Sequence, residues 1–115
     1  RGSKSCFLEV KSVTLCRQGN IAEFPDTVTL RGAKHLKEIA KTINGNTRAI
    51  VLYLVQRSDC SNFKIANDLD PNYAQATIFS QNSGVEFVCY GVNFLPNGIE
   101  LGYKMDLEND FSFLS

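Results

Sequence analysis

A chain of 115 residues, 43% hydrophobic and 21% charged, suits one globular domain and is too short for two. Its formal net charge of zero excludes a strongly basic nucleic-acid coat, so any DNA contact must come from a local patch. The longest apolar run, Ala49 to Val55, falls far short of the roughly 20 residues a membrane-crossing helix needs. Arg1-Gly2-Ser3-Lys4-Ser5 leads directly into an alternating segment, without the apolar stretch of a signal peptide. Cys6, Cys16, Cys60 and Cys89 are scattered, with no C-x-x-C pair of the kind that builds zinc or redox sites. The expectation is a cytoplasmic domain with free, mostly buried thiols and no membrane contact.

Cys6 to Cys16 reads as the first strand, with Phe7, Val13 and Leu15 on one face and Leu8, Val10 and Cys16 on the other. Partly apolar faces on both sides predict a strand inside a sheet covered on both sides. Arg17-Gln18-Gly19-Asn20 breaks it, and Ile21 to Thr27 reads as extended or looped, because Pro25 disfavours helix at Phe24. A helix is predicted from about Thr29, where Gly32, Leu36, Ile39, Ala40 and Ile43 recur at helical spacing before Asn44-Gly45. Arg48 to Gln56 is the clearest strand, and its continuous apolar run predicts a central strand buried on both faces. Asp70 caps a second helix that has Pro71 in its first turn; Tyr73, Ala74, Thr77 and Ile78 face inward and Gly84 ends it. Val85 to Val92 is a further strand, and Pro96-Asn97-Gly98 turns it into a hairpin with Ile99-Glu100-Leu101. The last dozen residues show no period. Strands alternating with helices imply parallel pairs and right-handed crossovers, with ligands at the carboxyl ends of the strands.

Two features carry candidate chemistry. Glu9 and Lys11 leave the same face of a strand, roughly 6.6 Å apart along it. A carboxylate there suits Mg2+, the Val10 carbonyl can add a second oxygen, and Lys11 can orient or deprotonate an attacking water. E-x-K is short and common, so the other reading stays open: a solvent-facing pair contributing a few tenths of a kcal/mol. The first helix carries Arg31, Lys34, His35, Lys37 and Lys41 against one acid, Glu38, which suits either phosphate contact or a solvated face. His35 has no neighbouring Cys or second His to complete a metal site. At the end of the Arg48 to Gln56 strand, Gln56 can orient a ligand or Lys11, and Arg57 can grip a phosphate; a polar turn is the alternative. Nothing forms a nucleophilic triad, a P-loop or a dinucleotide fingerprint.

Phe7-Leu8-Glu9-Val10-Lys11-Ser12-Val13-Thr14-Leu15 closely resembles the signature of the sugar fermentation stimulation protein family. Phe24-Pro25-Asp26, Arg31-Gly32, His35-Leu36 and Leu54-Val55-Gln56-Arg57-Ser58-Asp59 follow in the family's order. Asp70-Pro71, Tyr73-Ala74, Gly84-Val85 and Gly98-Ile99-Glu100-Leu101-Gly102 complete a match that runs almost to Gly102. The resemblance implies a single α/β domain with a restriction-endonuclease-like PD-(D/E)xK core, a mixed sheet and flanking helices. It also implies non-specific DNA binding with a role in regulating sugar use. Glu9 and Lys11 match the acid and lysine of the core motif, and the Arg48 to Gln56 strand would lie parallel to the Glu9 strand. The family's barrel and the strand bearing the motif's first aspartate have no counterpart here, so the chain resembles the family's C-terminal half.

The expected function is therefore DNA binding, through Arg31, Lys34, Lys37 and Arg57. The alternative is a nuclease dependent on Mg2+ or Mn2+, with Glu9 as metal ligand and Glu9, Lys11 and Gln56 as catalytic residues. Because the family places a strand beside the Glu9 strand, that edge is expected to lie open and to favour a homo-oligomer.

Overall fold

The structure, a computed structural model, describes residues 5–107. Four strands form the larger sheet: β1 (Ser5–Val13), β4 (Thr47–Val55), β6 (Glu86–Leu95) and β7 (Gly98–Lys104), in the order β1-β4-β6-β7. The first three are parallel, and β7 returns antiparallel to β6 through the Pro96-Asn97 turn. A second sheet takes β2 (Leu15–Gln18), β3 (Ile21–Phe24), β5 (Asn62–Ile65) and β8 (Asp106–Leu107), in the order β2-β3-β5-β8. The predicted Cys6 to Cys16 strand is thus two strands, parted at Thr14, where the chain leaves one sheet for the other.

Helices α1 (Leu30–Ala40) and α2 (Pro71–Asn82) join the parallel strands as crossovers and pack against each other. Asp70 caps α2, as its sequence predicts, and Gly84 follows the helix with a positive φ of 108° that glycine adopts without a Cβ clash. The helices and the second sheet cover one face of the larger sheet. There Ala49, Val51, Tyr53 and Val55 are fully buried, and Tyr53 stacks on Phe63 with ring centroids 4.7 Å apart. At the seam, Arg17 forks onto the buried carboxylate of Glu23 and onto Asp68. This arrangement supplies Glu23 with the charge and donors that a buried carboxylate requires.

The opposite face departs from expectation. The apolar run of β4 predicts burial on both sides, yet Ile50, Leu52 and Leu54 are only half-buried. Leu8 and Val10 of β1 are 54% and 48% exposed. An apolar run without alternation shows that a strand can be covered twice, but its coverage depends on what else packs there.

Among the described residues β1 pairs with β4 alone, so its outer edge is open. Ser5 N–H donates to Asn46 O and Gln56 N–H to Val13 O, both at 2.8 Å, so the odd-numbered residues of β1 bond to β4. Even-numbered backbone groups, the Val10 carbonyl among them, then point to the edge. Unpaired edges beside exposed apolar side chains promote strand addition, and we expect a second copy to associate there. Sedimentation should show concentration-dependent dimers, and Val10→Lys should return the monomer. A monomer at every concentration would contradict this.

Candidate functional site

The pleat of β1 carries Phe7, Glu9, Lys11 and Val13 to the covered face. There the Glu9 carboxylate is divided between two neighbours. Its Oε2 lies 3.4 Å from Lys11 Nζ, and its Oε1 lies 3.3 Å from Nε2 of His35, which reaches down from α1. The side chains of Lys11, Glu9 and His35 are 19%, 26% and 38% exposed, so the group is desolvated but reachable. The His35 ring leans on Phe7, with centroids 6.2 Å apart. Its Nε2 is shut off from solvent and makes no hydrogen bond. Glu9, Lys11, Thr29, Arg31, Gly32 and His35 line a cavity of about 280 Å³.

Helix α1 is held over β1 by a cap with two levels. Thr29 Oγ1 accepts from Gly32 N–H at 3.0 Å, while the Thr29 N–H donates to Asp70 Oδ2 at 2.7 Å. The other Asp70 oxygen accepts from Tyr73 N–H at the start of α2, at 3.1 Å. Beneath lie the Tyr73 and Tyr53 hydroxyls, 2.6 Å apart. Burial raises both phenols above their ordinary range, and the charges of Glu9 and Asp70 push Tyr73 the same way.

Toward a divalent ion the site offers few donors. Glu9 supplies a carboxylate, the Val10 carbonyl faces the neighbouring edge, and the His35 nitrogen is buried without a partner. Mg2+ and Mn2+ accept such sparse protein ligation because they retain several waters. Among the described residues no three His, Cys, Asp or Glu side chains converge. Glu9, Val10 and His35 are thus the groups this segment offers.

Other predicted residues lie elsewhere. Gln56 follows the strand's alternation to the opposite face, where its Nε2 donates to Ser12 Oγ at 3.1 Å. It does not line the Glu9 cavity, which corrects the expected cluster of Glu9, Lys11 and Gln56. The Arg57 guanidinium clasps Asp59 at 2.7 and 2.8 Å and donates to Thr14 O, so its fork is already engaged in the turn. Arg31 lines the cavity, Lys34 is exposed one turn on, and Lys37 lies on the other flank of α1 beside Gln75 and Phe79. His35 was the member that sequence reading set aside. Its signal was the four-residue spacing from Arg31, which places both on one side of α1. The cysteines stand apart from this chemistry: burial pushes Cys60 and Cys89 up to about 12, leaving them protonated at neutral pH.

The sugar fermentation stimulation protein RE domain matches residues 1–98. The chain belongs to the sugar fermentation stimulation protein family. A homologue from Roseobacter denitrificans is 54% identical over 100 residues, covering 87% of this chain and 43% of that protein. One from Dinoroseobacter shibae is 46% identical over 107 residues, covering 93% and 44%. The structure of Pyrococcus furiosus SfsA in complex with Ca2+ superposes with a TM-score of 0.79 at 30% identity, covering 90% of this chain and 45% of that one. The chain thus spans less than half the length of these relatives, and its mixed sheets with two helices are those of the family's restriction-endonuclease-like domain.

In this family member Gly32 is set by close approach. A Cβ there would sit 2.8 Å from Thr29 Oγ1, 2.9 Å from Thr29 Cγ2 and 3.4 Å from the Tyr73 ring. Helix propensity favours Ala by about 1 kcal/mol, but overpacking costs about 1–3 kcal/mol and would also displace the capping oxygen. Gly32→Ala should therefore lower the urea midpoint. A raised midpoint would show that the cap tolerates the methyl.

Proposed function

We propose that this domain binds DNA along the basic side of α1 next to the Glu9–Lys11 cavity. The observation that carries the reading is the convergence of Lys11 and Arg31, with Glu9 between Lys11 and His35, on one concave site in a chain of zero net charge. Local concentration of cations, rather than total charge, then supplies phosphate affinity. Lys34 extends the same exposed side. Lys37 and Arg57 are weaker contributors, the first by its position on the far flank and the second because Asp59 occupies its fork. A regulatory role in sugar use, which the relatives' name suggests, would operate through this DNA contact and would fall with it.

A second reading, metal-dependent phosphodiester hydrolysis, is favoured by the division of Glu9 between Lys11 and His35, and by a relative that was solved with Ca2+. Glu9 and the Val10 carbonyl would hold Mg2+ or Mn2+, with His35 alongside. The bound ion would offset charge on the phosphate. Lys11 would donate to a phosphate oxygen or orient a water, and Arg31 would position the backbone.

A gel shift in EDTA, run beside plasmid incubation with Mg2+ or Mn2+, separates the two readings. DNA binding predicts retardation with EDTA present. Arg31→Ala and Lys34→Ala should each flatten the slope of log affinity against log salt by about 0.9 unit. Lys37→Ala and Arg57→Ala should change it by less than half of that. Absence of retardation at low salt, or equal slopes in all four variants, would overturn the interface. Nicking lost in Glu9→Ala and Lys11→Ala would add the hydrolytic reading.

A further inference from the structure

We propose that Cys16 and Cys60 are a peroxide-oxidisable thiol pair, closing reversibly into a disulfide that ties the second sheet to the turn beyond β4. The two are far apart in sequence and no C-x-x-C spacing announces them, but the fold brings their segments side by side. Arg57 Nη1 donates to Thr14 O at 3.2 Å, and the N–H groups of Ser61 and Asn62 both donate to Asn20 O, at 2.9 and 3.2 Å. Between these stitches, Cys16 packs against the buried cluster that contains Cys60. The two thiols are free and lie within hydrogen-bonding reach of each other.

The two thiols differ in access, which assigns their roles. Cys16 is partly exposed, its Sγ donating to Gly19 O at 3.3 Å, whereas Cys60 is 1% exposed. A hydroperoxide therefore meets Cys16 first, while the buried Cys60 stays protonated. The Cys16 thiolate attacks one peroxide oxygen and breaks the O–O bond, leaving a sulfenic acid and a hydroxide that takes up the proton Cys16 released. The Cys60 sulfur then displaces the sulfenic hydroxyl, which leaves with the Cys60 proton as water. Two thiols and one hydrogen peroxide thus give one disulfide and two waters. Neither cysteine is locked in a regular ladder: β2 loses register between Leu15 and Gln18, and Cys60 precedes β5. The small shift that brings two sulfurs to bonding distance is available there.

Hydrogen peroxide added to the dilute full chain, followed by denaturation and alkylation, reads out the pair. Two of the four thiols should resist alkylation, and peptide mapping should find Cys16 linked to Cys60 with the mass of two hydrogens lost. Dithiothreitol should restore all four. Because the bond closes a long loop in the unfolded chain, the oxidised form should have a higher urea midpoint than the reduced form. Cys16→Ser should abolish both the linkage and the midpoint shift. Cys60→Ala should strand the sulfenic acid on Cys16, where dimedone traps it. Four alkylable thiols after peroxide, linkage through Cys6 of two chains instead, a midpoint lowered by oxidation, or no dimedone on Cys16 in Cys60→Ala would each overturn the proposal.

Discussion

One buried carboxylate sets the relation between the two helices and the sheet. Asp70 is 1% exposed, and its two oxygens accept from the Thr29 and Tyr73 backbone N–H groups, the one leading into α1 and the other within the first turn of α2. A carboxylate removed from water requires charge-assisted partners, and the positive ends of two helices supply them. The consequence reaches further than the caps. Thr29 is free to cap Gly32 because its own N–H is held by Asp70, and Tyr73 is directed inward to meet Tyr53 on the central strand. Helix α1 is thereby laid over β1 with Arg31 and His35 turned toward Glu9.

The parts written in local periodicity were legible in the sequence. Asp70-Pro71 announces a capped helix, the spacing of Leu36, Ile39 and Ala40 gives the buried side of α1, and β1 and β4 pair parallel as the crossover implies. The second sheet was not legible because its strands Leu15–Gln18, Ile21–Phe24 and Asn62–Ile65 are four residues each, too short to display a period. Glu23 looks like a surface acid until Arg17 is brought around to it. The apolar composition of β4 overstated its coverage, since hydrophobicity records what a face permits and not what packs there. Gln56 was misplaced because a residue just past a strand still follows the strand's alternation. His35 was overlooked for a different reason: its partner is distant in sequence, and only the crossover joins them.

The same geometry bears on function. Family membership and fold follow from the match over residues 1–98 and from the superposition on the Pyrococcus furiosus protein. The chemistry rests on a smaller unit: one carboxylate with a lysine on one oxygen and an imidazole on the other, beneath an arginine. In a chain of zero net charge, Lys11 and Arg31 line this cavity beside Glu9, where an anion could be met. The proposed DNA contact would draw on neighbouring side chains of one cavity, and it would require α1 to stay in place.

The Asp70 clamp, acting at a distance, assembles the Glu9–His35 pair. Nuclear Overhauser contacts from the His35 ring to the Glu9 and Phe7 side chains, measured in the unaltered chain and in Asp70→Ala, test it directly. These contacts should be present in the unaltered chain and lost in Asp70→Ala, while the β4 amides of Val51 and Tyr53 remain protected from exchange. Contacts that persist undiminished in Asp70→Ala would show instead that α1 finds β1 without the clamp.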